Sequence, residues 1–148
     1  MTIGRLRYLV WRFVSEIERR ALIKFYKMDI GEGAVISHKA TLDKGVGKRI
    51  HIGKRTWILA HSVVLGHDVS RRLVADTYIG DDCVIGIRSI IMPGLKIGNQ
   101  VVIGGGTVVT KDIPDHCMVV GNPGRIIRKD IEVHNGVIIN NGIKYDNK

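Results

Sequence analysis

An aliphatic residue returns every six positions through most of this chain, and that period limits the possible fold more than any other feature. IGEGAV, ISHKAT and LDKGVG run from Ile30, and IGKRTW, ILAHSV and VLGHDV run from Ile52. IGDDCV, IGIRSI, IMPGLK, IGNQVV, IGGGTV and VTKDIP follow from Ile79 without a slip. The first position is Ile, Leu or Val in all twelve hexads, and Gly follows it in six. A period of six fits neither a 3.6-residue helix nor a plain alternating strand, so each hexad is read as one short strand plus a turn. Three hexads close a triangular coil, and stacked coils share one core as a parallel β-solenoid. The compact fifth residues (Ala34, Ala40, Thr56, Ser62, Cys83, Ser89, Thr107) are expected inside, with glycine in second place easing the conformation of each corner.

The bulk properties agree with one domain. A chain of 148 residues that is 45% apolar can bury a single core and little more. Cys83 and Cys117 lie in apolar runs without ligand spacing, which points away from a disulfide framework or a zinc site and toward a reducing, cytosolic setting. Arginines at positions 5, 7, 12, 19 and 20 break up any apolar run in the first thirty residues, so neither a signal peptide nor a membrane span is expected there. The net charge of +9 asks for an anionic partner but, with no P-loop or nucleic-acid motif, does not argue for nucleic acid.

That charge is concentrated at one end. Residues 1–28 hold seven basic side chains against Glu16 and Glu18, supplying +5 of the total. Leu6, Val10, Phe13, Ile17 and Ala21, widened by Leu9 and Val14, recur at helical spacing, which predicts a basic amphipathic helix over 1–28. Two readings follow: a cap over the open end of the solenoid, or a peripheral contact with an anionic membrane. Residues 29–130 hold the repeats. Within 131–148, Asn135-Gly136 and Asn141-Gly142 suggest a short hairpin or tail.

From Val64 to Ile79 the interval is fifteen, so SRRLVADTY must bulge from the coil directly after His67. Extra residues in a solenoid map to loops on a functional face, which singles out His67 among six histidines. His38 and His61 occupy outward positions of intact hexads, His51 borders the irregular GVGKRIHIG, His116 precedes the terminal segment and His134 lies in the tail. His61 and His67 do not reproduce a three-histidine zinc pattern, and no metal is expected. Asp68 is a candidate to orient the imidazole, although neighbours on an extended chain point to opposite sides.

Residues 30–128 resemble the hexapeptide-repeat acyltransferases. The run from Ile79 to Arg128, ending VTKDIP…GNPGRIIR, is similar to the maltose, galactoside and surface-polysaccharide O-acetyltransferase branch. Val84 stands where many relatives have Trp, GNPGR stands for the frequent GNPAK, and the larger N-terminal cap of the maltose and galactoside enzymes is missing. The resemblance implies an all-β, left-handed parallel β-helix, here with an N-terminal amphipathic helix and a C-terminal tail or hairpin. It implies an acetyl-CoA-dependent sugar O-acetyltransferase in surface-polysaccharide biosynthesis, cytoplasmic and homotrimeric, at the inner face of the membrane if residues 1–28 bind lipid.

By the same resemblance His67 is the general base, the Ile87 N–H stabilises the oxyanion, and Thr110, Lys111, Arg125 and Arg128 meet acetyl-CoA. Gly86, Gly105 and Gly106 then admit the pantetheine arm, and Arg71 and Arg72 in the loop are candidates for the acceptor. N-acetylation of an amino-sugar nucleotide, or a noncatalytic β-helix that binds a partner, are the alternatives.

Overall fold

The computed structural model describes residues 3–144, so the extreme ends of the two expected terminal segments, residues 1–2 and 145–148, lie outside it. Helix α1 (Ile3–Tyr26) leads into a first coil of β1 (Asp29–Ile30), β2 (Val35–Ile36) and β3 (Thr41–Leu42). The second coil is β4 (Ile50–Ile52), β5 (Trp57–Ile58) and β6 (Val63–Val64), followed by a side hairpin, β7 (His67–Asp68) and β8 (Leu73–Val74). The third is β9 (Thr77–Ile79), β10 (Val84–Ile85) and β11 (Ile90–Ile91), and the fourth β12 (Lys96–Ile97), β13 (Val102–Ile103) and β14 (Val108–Val109). A fifth begins at Ile113, bridged in parallel to Ile97, and continues as β15 (Met118–Val120). β16 (Arg125–Lys129), β17 (Glu132–His134), β18 (Val137–Asn140) and β19 (Ile143–Lys144) complete the described chain.

Successive strands visit three sheets in turn, β1-β4-β9-β12, β2-β5-β10-β13-β15 and β3-β6-β11-β14, and all of these neighbours pair in parallel. The register puts the first residue of each hexad into a column: Ile36, Ile58, Ile85, Ile103 and Val119 stack in one sheet. All are almost fully buried. Each such side chain is worth about 1.5–3 kcal/mol on leaving water. The period of six is therefore a core-column period. The fifth-position hydroxyls of Thr56, Ser62 and Ser89 are buried too, donating to the carbonyls of Gly80, Leu59 and Gly86. Burial pushes the Cys83 thiol up to about 12, so it is a packing residue and not a nucleophile.

The corners correct one expectation. Second-place glycines do not adopt positive φ; that conformation falls on fourth-place residues such as Arg55, Asp82, Arg88 and Gln100. Glycine is needed for coil spacing instead: a Cβ on Gly31 would lie 2.6 Å from the backbone N of Lys54 in the next coil.

The ends are covered differently. Leu22, Met28 and the half-buried Ile23 close the first coil, and Arg19 donates to the carbonyls of Ile30 and Gly31. The stripe Leu6, Val10, Phe13 and Ile17 takes no part in this cap and faces solvent. At the other end β16 turns back antiparallel on β15, and a hairpin of β17 and β18 turns at Asn135-Gly136, both at positive φ. Ile131 and Val133 bury against Val84, Val102 and Met118, the outward residues of the second sheet.

Candidate active site

Two insertions leave the solenoid at the same edge, between the third sheet and the first, in adjacent coils. One is the hairpin after β6. The other was hidden in LDKGVG, which reads as a hexad but forms only the strand Thr41–Leu42 before Lys44–Arg49 turns as a 3₁₀ helix broken by a kink at Val46. Asp43 sits at the N-cap of that helix without capping it, so its side chain is available for another contact. The hairpin has a closed neck. The Thr77 hydroxyl donates to Leu65 O at 2.6 Å and accepts from Gly94 N at 3.1 Å, while Ala75 N donates to Gly66 O at 3.0 Å. The insertions touch closely: a Cβ on Gly66 would lie 2.8 Å from Val46 Cγ2.

Asp43 and His67 meet there. One carboxylate oxygen, Asp43 Oδ2, accepts from Gly66 N at 3.0 Å, from His67 N at 3.1 Å and from His67 Nδ1 at 2.5 Å. The Asp43 side chain is 6% exposed and that of His67 41%, so the carboxylate is enclosed while the ring reaches the surface. An ionised carboxylate only accepts, so Nδ1 carries the proton of this bond. In the neutral ring Nε2 then carries the lone pair, and it has no protein partner among the described residues. The half-exposed ring borders an open groove of about 460 Å³ lined by Thr41, Leu42, Lys44 and Leu65. A fixed tautomer with a free Nε2 is what a general base requires.

Asp68 does not orient this ring. Its carboxylate accepts from Ser70 Oγ at 2.6 Å and from Arg71 Nε at 2.6 Å, and these bonds, the Ser70 hydroxyl first, hold it below the usual carboxylate range. Asp68 therefore staples the hairpin turn and occupies Arg71, whereas Arg72 at the tip is exposed at positive φ.

A second bond set ties the far ends of the insertions. Asp76 accepts from Arg49 Nη1 at 2.8 Å, and its other oxygen lies 2.9 Å from His51 Nε2. His51 stacks on Tyr78, ring centres 4.3 Å apart, and its Nδ1 lies 3.2 Å from Asp29. The hydrogen bonds from His51 and then Arg49 keep the Asp76 carboxyl below its ordinary range. His51 thus acquires a structural role from its cross-coil neighbours, Asp29 and Tyr78. Among the other histidines, His38 and His61 are exposed, His116 donates to Ile131 O through Nδ1 and His134 approaches Asp82.

The remaining expected site residues fall on two edges. Thr110 and Lys111 share the edge of His67, two coils further along, roughly 10 Å at one strand spacing per coil. Gly86, Ile87, Gly105 and Gly106 lie on the edge between the second and third sheets, and Arg125 begins β16 just after the turn that closes this edge. Arg128, further along β16, donates to Asn141 O. A single chain does not bring His67 and Ile87 to one edge. Among the described residues Lys111 has no protein partner and Arg125 donates only to the neighbouring Gly124 carbonyl, so both exposed cations are available to phosphate. Among the described residues no group of three His, Cys, Asp or Glu could hold a metal.

Residues 76–111 match the family model described as bacterial transferase hexapeptide (six repeats). No curated protein matches the chain in sequence. Several solved structures are similar to it. A hexapeptide-repeat-containing acetyltransferase from Vibrio cholerae is 25% identical with a TM-score of 0.59, over 86% of this chain and 88% of that one. A maltose O-acetyltransferase from Clostridium difficile is 26% identical with a TM-score of 0.58, over 77% of this chain and 75% of that one. The serine acetyltransferase of Neisseria gonorrhoeae, solved with serine, is 28% identical with a TM-score of 0.56 over 66% of this chain, which spans only 39% of that longer protein. The repeat and these neighbours imply a left-handed course for the coils.

Proposed function

We propose that the protein is an acetyl-CoA-dependent O-acetyltransferase that acts on a sugar hydroxyl in surface-polysaccharide biosynthesis. The observation that carries this reading is the Asp43–His67 pair, an imidazole fixed at Nδ1 and open at Nε2. Support for the class comes from the similar Vibrio and Clostridium proteins, both acetyltransferases. Nε2 takes the proton of the acceptor hydroxyl as its oxygen attacks the acyl carbon, and Asp43 stabilises the imidazolium that forms. The same proton is returned to the leaving thiolate. Acetyl-CoA would supply an acyl group already activated as a thioester. Lys111 and Arg125 would meet its phosphates, with Thr110 and Arg128 nearby, and the Ile87 N–H would receive the oxyanion.

Because His67 and Ile87 lie on different edges, a complete site needs a second chain, which supports a homotrimer with sites between neighbouring prisms. Two buried, unpaired cysteines fit a reducing cytoplasm.

A second acceptor class rests on the likeness to the Neisseria enzyme solved with serine: the same base would serve an amino-acid hydroxyl. The test is release of free CoA from acetyl-CoA by purified protein with a panel of sugars, nucleotide-linked amino sugars, oligosaccharides and serine. Turnover on a sugar hydroxyl that falls about 10²–10⁴-fold in His67→Ala supports the proposal. Turnover confined to serine or to an amino group would replace it, and full activity in His67→Ala would remove the base assignment.

A further inference from the structure

Helix α1 has two faces with different fates. Trp11, Ser15, Arg19 and Leu22 recur on one side and pack: Trp11 lies 5.3 Å from the Trp57 ring, Ser15 and Leu22 are buried, and Arg19 is bonded to the first coil. On the other side Leu6, Leu9, Val10, Phe13, Val14 and Ile17 are 47–67% exposed, a continuous stripe three turns long that nothing covers among the described residues. An exposed apolar patch of that extent marks a contact surface.

The charges say what kind. Exposed Arg5, Arg7, Arg20 and Lys24 accompany the stripe. The helix has only two acidic side chains, and Glu16 is already engaged by Arg19 and Arg20, whose hydrogen bonds, that of Arg19 first, hold its carboxyl at about 2. A second copy of this helix laid on the stripe would set cation against cation. A partner that takes both the apolar stripe and its basic flanks is apolar within and anionic at its surface. No described helix is long and apolar enough to cross a membrane, so α1 would lie in the interface plane.

We propose that the outer face of α1 docks the protein onto an anionic lipid surface, with Phe13 and Ile17 entering the acyl boundary and the flanking cations meeting headgroups. The packed face meanwhile keeps the solenoid attached. The inference does not depend on the reaction proposed above, since none of these residues belongs to the catalytic edge.

The test is co-sedimentation of the full chain with vesicles of phosphatidylcholine alone or mixed with phosphatidylglycerol, at low and high salt. The full chain should bind the mixed vesicles at low salt, bind them less at high salt, and bind phosphatidylcholine weakly. F13E/I17E should bind at least about tenfold less while keeping the melting temperature of the parent, because both side chains point to solvent. R5E/R7E should lose the anionic preference. Absence of binding at low salt, or equal binding by F13E/I17E, overturns the proposal. So does light scattering that shows concentration-dependent association lost in F13E/I17E, which would make the occupant a second copy.

Discussion

Asp43 and His67 stand 24 residues apart, in two different insertions, and meet at a single carboxylate oxygen. Each follows the third strand of its own coil, and the pairing of Leu42 with Val64 places the two departures side by side. The proposed base is thus assembled from adjacent turns of the solenoid and not from one loop.

Replacing Asp43 should therefore impair chemistry without impairing cofactor binding. In Asp43→Asn the enclosed group can still accept from the Gly66 and His67 amides, but the charge that stabilises imidazolium is gone. We expect kcat to fall at least about tenfold, with KM for acetyl-CoA within about twofold of the parent. Steady-state kinetics on the best acceptor measure both. A rise in KM with kcat intact would assign Asp43 to binding.

Gly66 is where the insertions come closest. An added methyl would press on Val46 and Ile50, and overpacking of this kind costs about 1–3 kcal/mol. Gly66→Ala should lower both the melting temperature and kcat, since relief requires the His67 strand to move away from Asp43. Gly4→Ala, whose added methyl meets nothing within 4 Å, is the control for stability. A Gly66→Ala protein as stable and active as the parent would show that the contact yields freely.

The Arg49–Asp76–His51 set makes a pH-dependent contribution whose sign follows from the depressed Asp76 carboxyl. A carboxyl lowered in the folded state adds stability above its unfolded value, near 3.9 for Asp, and loses it as pH falls through the folded value. The difference in melting temperature between the parent and Asp76→Asn should be largest near neutrality and shrink below about pH 4. Thermal melts across that range decide it; a difference that grows on acidification would contradict the assignment.

If sites form between chains, variants lacking different halves should complement. His67→Ala and Arg125→Ala, which lie on different edges, should regain part of the activity when co-refolded, because some interfaces then pair an intact His67 with an intact Arg125. Unmixed variants set the baseline. Mixed trimers no more active than that baseline would place both residues within one chain's site.

The repeat was legible because each first-place aliphatic falls into a buried column, and a column leaves a strict period in the sequence. The bulge at His67 was legible for the same reason, as a break in that period. The first insertion left the same trace, since Leu42 to Ile52 is an interval of ten, but LDKGVG begins with a properly buried leucine and imitates a hexad. Asp43 could not be read as the partner of His67 without knowing that both sit at one edge in adjacent coils. Asp68, adjacent in sequence, points away, as expected for neighbours on a strand, and serves the turn. The helical stripe was visible, but which face would pack was decided by Trp11, Ser15, Arg19 and Leu22, whose mixed chemistry disguises a common side.

The closed neck of the hairpin bears on how such a protein can change. Thr77 joins the two ends of the insertion and fastens them to Gly94 in the next coil, so the chain departs from the prism and rejoins it at nearly one point. Residues 69–72 at the tip could then be lengthened, shortened or exchanged without shifting any column of the core. The chemistry presented at this edge could diverge by grafting tips onto an unchanged trunk, with Thr77 as the graft union.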